Sequence, residues 1–187
     1  MLAAFATVAY TARRQWHEER FSDRFSDLYL DETRSRSRGV SVLFAGLQAF
    51  TSFSERSDPT DVSTMLNEYF EATVPMIANE YGGVVDKLIG DAIMVTFNTG
   101  GDQPDHALKA VRAGLALQRE TGLVECHPEG PRFRVSVNSG EVMVGLVGAE
   151  GRRSFTVIGD TVNLASRLEG KKEPVEAYVV ELPPDGS

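Results

Sequence analysis

The sequence places a few polar side chains where they can bind a cation and a phosphate group. Asp91 follows Gly90 in a predicted tight turn between two apolar segments, so its carboxylate can point out of a sheet. A carboxylate there suits a hard cation such as Mg²⁺, which prefers oxygen ligands. Asn163 and Arg167 lie four residues apart on a predicted short helix and therefore share one of its faces. The planar guanidinium group of arginine matches the geometry of phosphate oxygens.

Each of these signals also has an ordinary structural interpretation when it is taken alone. A Gly-Asp pair in a turn more often closes a hairpin than carries out a reaction. An asparagine in the first turn of a helix and an arginine further along it are commonly surface residues. The elements and motifs around these residues must therefore decide between the two interpretations.

The elements that would position these side chains follow the order strand, helix, strand, strand, helix, strand. Asp58-Pro59 predicts a helix start, with Asp58 as N-cap and Pro59 at the first helical position. Gly82-Gly83 ends this helix, and Pro75 predicts a kink within it. The order is that of an α+β ferredoxin-like βαββαβ sandwich with its helices on one sheet face. The predicted strands are 40–47, 84–88, 92–97, 132–138, 141–147, 156–158 and 175–180, and the predicted helices are 58–81, 102–122 and 160–169; strands 132–138 and 141–147 form a hairpin around Ser139-Gly140.

The composition is that of a soluble globular protein, with 42% hydrophobic and 25% charged residues in 187. A formal net charge of -8 argues against nucleic acid as the main partner, because phosphate binding normally needs a basic surface. A single cysteine, Cys126, excludes an internal disulfide and is compatible with a cytoplasmic location. The apolar run at residues 1–10 is too short to span a bilayer. It is either the start of an ordinary amphipathic helix or the cytoplasmic end of a membrane helix in a longer parent chain.

Three segments in this order resemble the catalytic domain of class III nucleotide cyclases, of the bacterial adenylate cyclase type. They are residues 40–53 around Phe44-Ala45-Gly46-Leu47, residues 86–94 around Lys87-Leu88-Ile89-Gly90-Asp91, and residues 156–169 around Gly159-Asp160-Thr161-Val162-Asn163. The resemblance implies a phosphorus-oxygen lyase that converts ATP to cyclic AMP and pyrophosphate with Mg²⁺ or Mn²⁺.

The resemblance also implies roles for individual residues. Asp91 and the Leu47 carbonyl would bind metal, and the first metal aspartate of the family is replaced by Gly46. Among the predicted substrate-binding residues, Lys87 and Thr156 would read the adenine, and Arg134 and Lys171 would contact phosphates. Of the two predicted catalytic residues, Asn163 would position the ribose and Arg167 would stabilise charge on the transferred phosphate. With one carboxylate missing, we expect a weak or inactive enzyme. A non-catalytic nucleotide-binding or dimerisation module on the same fold is the alternative.

The resemblance divides the chain into three predicted parts. Residues 1–38 form a linker helix, which either signals and dimerises or only packs; residues 39–181 form the cyclase homology domain, shortened after Gly170; and residues 182–187 are a tail. The family works as a dimer in which each site takes metal ligands from one subunit and base-reading and catalytic residues from the other. We therefore expect a homodimer, or a heterodimer with another cyclase domain.

Overall fold

The computed structural model describes residues 35–123, 131–149 and 152–170. These residues form one antiparallel sheet and four helices. No helix in these ranges is long and apolar enough to cross a membrane. The strands are β1 Arg36–Leu47, β2 Val84–Ile89, β3 Ala92–Phe97, β4 Phe133–Ala149 and β5 Arg152–Ile158, and the helices are α1 Phe50–Ser54, α2 Pro59–Glu80, α3 His106–Leu123 and α4 Asp160–Gly170.

The sheet has the strand order β2-β3-β1-β4-β5, with every neighbouring pair antiparallel. The first four strands, with α2 and α3 between them, have the connectivity of a ferredoxin-like sandwich, so the predicted fold class is confirmed. The central strand β1 is buried along its last two thirds, from Val40 to Leu47. A strand that is apolar at consecutive positions needs a cover on both of its faces.

Both faces of the sheet are indeed covered, by different helices. Leu43 and Ala45 of β1 pack in one cluster with residues of α2 and α3. Val42 and Phe44 point the other way and pack in a second cluster with Ala165 of α4. The prediction that the helices share one sheet face is therefore wrong for α4.

The predicted hairpin around Ser139-Gly140 is also wrong. Residues 133–149 form one continuous strand, in which Ser139 pairs with Ser41 and Gly140 pairs with Val40 on β1. A Cβ atom on Gly140 would lie 2.6 Å from the Thr161 hydroxyl oxygen. The glycine thus permits the close approach of α4 instead of forming a turn, and the hairpin partner of β4 is β5.

The predicted start of α2 and the predicted turn between β2 and β3 lie where the sequence placed them. The Asp58 carboxylate accepts a hydrogen bond from the Thr60 amide at 2.8 Å, and α2 begins at Pro59 and continues through Pro75. The turn between β2 and β3 uses Gly90 at a φ of 61°. Helix α3 begins at His106, four residues later than predicted.

At the N-terminal side, the Arg-Ser stretch is extended, because Arg36 already pairs with Val144 of β4. The predicted helix over residues 1–38 is therefore wrong for Arg36–Arg38. The rest of that helix, Cys126, Lys171 and the predicted strand 175–180 lie outside the described residues. The division of the chain into three parts stays a prediction.

Candidate active site

The first group of predicted site residues meets at the end of β1. Gly46 pairs with Ala92, so the turn that carries Asp91 lies directly beside it. The Asp91 Oδ2 atom accepts a hydrogen bond from the Leu47 amide at 3.2 Å. The sheet therefore brings the Asp91 carboxylate to the backbone amide of Leu47, and the binding of metal by Asp91 and the Leu47 carbonyl stays a prediction.

The space beside Gly46 is filled by a residue that sequence reasoning missed. A Cβ atom on Gly46 would lie 2.6 Å from Oε1 of Glu169, the penultimate residue of α4. The same Oε1 accepts from Nη2 of Arg134 at 3.2 Å, and Arg134 is the cross-strand neighbour of Gly46 on β4. A carboxylate from another element thus occupies the place where a side chain at position 46 would begin.

Arg134 is only partly satisfied by this ion pair. Its Nε atom is buried, with no hydrogen-bond partner among the described residues. A guanidinium group can donate to one anion through Nε and an Nη atom together, so a bound phosphate would give the buried Nε a partner. The arrangement is compatible with the phosphate contact predicted for Arg134, which stays a prediction.

Helix α4 is fastened to β4 by a regular series of polar contacts. The Ser136 hydroxyl donates to the Ala165 carbonyl at 2.6 Å, and the Asn138 amide donates to the Thr161 carbonyl at 3.0 Å. Two residues along a strand advance by about 6.6 Å and four residues along a helix by about 6 Å, so the series stays in step. With the Arg134–Glu169 pair it holds three successive turns of the helix on the sheet.

The exposed face of α4 carries the predicted catalytic pair. Asn163 and Arg167 are both exposed and line one open cleft of about 760 Å³. The lining residues also include Asn138, Ser139, Asp160, Thr161 and Leu164. The structure therefore brings Asn163 and Arg167 together, but Lys87, Thr156 and Asp91 do not line this cleft.

The predicted base-reading residues also meet, although their strands lie at opposite edges of the sheet. The Lys87 ammonium group on β2 donates to the Thr156 hydroxyl on β5 at 2.9 Å. Contact between the two outermost strands requires a strongly coiled sheet. Asp86, which the sequence analysis did not select, joins them: its Oδ2 accepts from the Thr156 hydroxyl at 3.1 Å and lies 2.5 Å from Lys87 Nζ.

A two-cation centre does not fit the described residues of one chain. These residues contain no group of three or more acidic, histidine or cysteine side chains able to hold a metal. Gly46 offers no ligand, and Glu169 is engaged by Arg134. Away from this site, burial raises the pKa of Tyr69, and the hydrogen bond from Lys109 lowers the pKa of Asp105.

Comparison with known proteins identifies the family. A family model described as the adenylate and guanylate cyclase catalytic domain matches residues 33–181. The chain belongs to this family. Members of the family are generally metal-dependent and usually work as dimers on a nucleotide substrate.

Curated relatives include cyclases of both base specificities. The chain is 37% identical over 138 residues to an adenylate cyclase of Anabaena cylindrica, covering 72% of this chain and 27% of the relative. It is 32% identical over 150 residues to the receptor-type guanylate cyclase gcy-28 of Caenorhabditis elegans, covering 75% of this chain and 11% of the relative. The chain thus spans less than a third of the length of these relatives.

Solved structures agree on the fold. The adenylyl cyclase CyaB from P. aeruginosa has a TM-score of 0.67 at 32% identity, with 75% of each chain covered. The guanylyl cyclase Cya2 has a TM-score of 0.65 at 34% identity, with 73% of this chain and 72% of that one covered. The predicted class III cyclase type of ferredoxin-like fold is therefore confirmed.

Proposed function

We propose that this domain is an adenylate cyclase that converts ATP to cyclic AMP and pyrophosphate, and that the chain by itself turns over weakly or not at all. The observation that carries the choice of ATP is the Lys87–Thr156 pair, with 2.9 Å between Nζ and Oγ1. A lysine donor beside a hydroxyl acceptor suits the N1 acceptor and N6 donor of adenine. The family alone does not decide this, because its members act on either purine.

In the proposed reaction the ribose 3′-oxygen attacks the α-phosphorus of the same molecule. The new bond joins the 3′-oxygen to that phosphorus, water in the open cleft takes up the 3′-hydroxyl proton, and the bond from the α-phosphorus to the bridging oxygen breaks, so that pyrophosphate leaves with that oxygen. Asn163 would orient the ribose, and the Arg167 guanidinium would stabilise charge on the phosphate. Asp91 and the Leu47 carbonyl would hold a divalent cation, which would supply neutralisation of phosphate charge and activation of the 3′-hydroxyl.

In this proposal one such site is shared between two cyclase domains. Asp91 and Leu47 lie at the end of β1, whereas Asn163 and Arg167 project from the exposed face of α4 and line a cleft that excludes them. We propose that a homodimer, or a heterodimer with an intact cyclase domain, brings the Asp91 end of one subunit against the α4 face of the other. The site would lie in the cytoplasm, whether or not a longer parent chain is anchored in a membrane.

The test is cyclic AMP formation by the purified dimer, with ATP and either Mg²⁺ or Mn²⁺. We expect little product with Mg²⁺ and a small amount with Mn²⁺. Arg167→Ala should remove this product, while Arg112→Ala, an exposed arginine on α3, should leave it unchanged. Strong Mg²⁺-dependent turnover by the unmodified homodimer would contradict the proposed impairment.

One observation favours the alternative, a nucleotide-binding or dimerisation module without catalysis. The Glu169 carboxylate, paired with Arg134, fills the space that a metal-binding side chain at position 46 would use. Under this alternative a fluorescent ATP analogue binds the dimer, yet no variant that restores a carboxylate at position 46 gains turnover.

A further inference from the structure

We infer that Asp86 sets the base preference of this site by fixing the proton of the Thr156 hydroxyl. The inference rests on the proposed function, in which Lys87 and Thr156 contact the purine. It adds a positioning residue that does not itself need to touch the base.

Asp86 occupies an irregular point in β2. Val85 pairs with Val95 and Lys87 pairs with Met94, so Asp86 is an extra residue without a cross-strand partner of its own. Consecutive residues of a regular strand point to opposite faces, and a bulge of this kind re-aims them. The bulge explains how Asp86 Oδ2 and Lys87 Nζ approach to 2.5 Å and both reach Thr156.

The chemistry of the three groups fixes the direction of each hydrogen bond. An ionised carboxylate only accepts and an ammonium group only donates. The Thr156 hydroxyl must therefore accept from Lys87 and donate its single proton to Asp86. The Asp86 side chain is only 5% exposed, which shields this bond from exchange with water.

A hydroxyl held in this way offers a ligand only a lone pair. The N6 amino group of adenine can donate to it, whereas the O6 carbonyl of guanine would face another acceptor. The ammonium group of Lys87 keeps one N–H beyond its two bonds to Asp86 and Thr156, and adenine N1 can accept it. Asp86 therefore favours ATP over GTP by controlling what Thr156 presents.

The test is the ratio of ATP to GTP affinity in the Asp86→Asn variant. The amide keeps the shape of the carboxylate but can donate to Thr156, which releases the hydroxyl proton towards an acceptor such as guanine O6. Displacement of a fluorescent ATP analogue from the dimer by ATP and by GTP gives the ratio of their affinities. We expect the preference for ATP to fall by about tenfold, which corresponds to ~1.4 kcal/mol.

Two further variants separate positioning from simple loss of structure. Asp61→Asn removes the same charge from the exposed first turn of α2 and should leave the ratio unchanged. In a Thr156→Val background the hydroxyl is absent, so Asp86→Asn should no longer change the ratio. If Asp86 had a purely structural role, Asp86→Asn would weaken the binding of both nucleotides equally and leave the ratio of ATP to GTP affinity unchanged.

The outcomes distinguish this inference from the proposed function. If nucleotides bind and the ratio is the same in Asp86→Asn as in the unmodified chain, the role of Asp86 is overturned and the proposed function stands. If Asp86→Asn still lowers the ratio in the Thr156→Val background, Asp86 does not act through Thr156 and the inference is also wrong. If neither ATP nor GTP displaces the analogue, both proposals fail.

Discussion

Gly46 stands where the family resemblance predicts a metal-binding aspartate, and Glu169 fills the space beside it. The glycine leaves room for a carboxylate from α4, which the Arg134 guanidinium holds in place. Replacing the glycine therefore has two effects, because it adds a ligand and displaces Glu169. An aspartate at position 46 and the Glu169 carboxylate would repel each other, because both carry negative charge in one small space.

The first prediction follows from this competition. Gly46→Asp alone should raise cyclic AMP formation with Mn²⁺ only slightly, since the Glu169 carboxylate lies 2.6 Å from the new Cβ position. Adding Glu169→Ala should raise it to about 10²-fold above the unmodified chain, the scale of one well-placed charge-stabilising group. Glu169→Ala alone is the control and should give no gain. Equal activity of the single and double variants would show that Glu169 does not obstruct the position.

At the scale of elements, the close packing of α4 on the sheet depends on a glycine beneath each end of the helix. Gly46 lies beneath Glu169 and Gly140 lies beneath Thr161, and a Cβ at either position would approach the helix side chain to 2.6 Å. Between them, Ser136 and Asn138 hold the carbonyls of Ala165 and Thr161. The position of the exposed face of α4, which carries Asn163 and Arg167, thus depends on how closely its other face packs on the sheet.

The second prediction concerns Gly140. Gly140→Ala should destabilise the fold by about 1–3 kcal/mol through overpacking against Thr161. Urea unfolding of the variant and of the unmodified chain measures this. Thr161→Ala combined with Gly140→Ala should recover part of the loss relative to the sum of the single changes. Full stability of Gly140→Ala would mean that α4 moves away from the sheet at no cost.

These elements also show how far the sequence could lead. The Asp58 cap and the Gly90 turn were predictable because each depends on residues adjacent in sequence. The hairpin predicted at Ser139-Gly140 was wrong, because Gly140 lets a helix that comes twenty residues later pack closely and Ser139 hydrogen-bonds to Ser41 on β1. Glu169 could not be predicted for the same reason, because its importance depends on Gly46 in β1, which is distant in sequence. The Lys87–Thr156 pair was anticipated only through family resemblance, and no local pattern relates opposite edges of a sheet.

At the scale of the whole molecule, the described surface carries an exposed apolar pair at its β4–β5 edge. Met143 and Ile158 are cross-strand partners and are 45% and 53% exposed. We expect the dimer interface to include this pair, because the family usually works as a dimer.

The third prediction tests that surface. Ile158→Asp should shift the sedimentation of the chain from dimer towards monomer, because it places a charge in an apolar contact. Leu108→Asp on α3 is the matched control, since Leu108 is 51% exposed and belongs to a different element. A dimer that persists in Ile158→Asp, or a chain that is monomeric at high micromolar concentration before any change, would contradict the assignment.

The fourth prediction tests the division of one site between two subunits. In the Gly46→Asp/Glu169→Ala background, Asp91→Asn and Asn163→Ala should each remove activity as homodimers. A refolded mixture should recover about a quarter of the parent activity, because half of the dimers are mixed and each holds one of its two sites unaltered. Cyclic AMP formation by the mixture, compared with each variant alone, measures this. Lack of recovery in mixed dimers would place Asp91 and Asn163 in the same subunit's site.

The length of β4 has a consequence for how such a domain can be controlled. One half of this strand, at Arg134–Asn138, holds the helix that carries Asn163 and Arg167; the other half, from Met143, holds the strand that carries Thr156. The strand therefore connects the residue proposed to contact the base with the helix that carries Asn163 and Arg167. We expect a partner that bends the end of β4 beyond Met143 to displace Thr156, which pairs with Gly145, while the contacts of Ser136 and Asn138 to α4 stay in place. Under the proposed function, substrate choice and turnover would then be adjusted separately through a single strand.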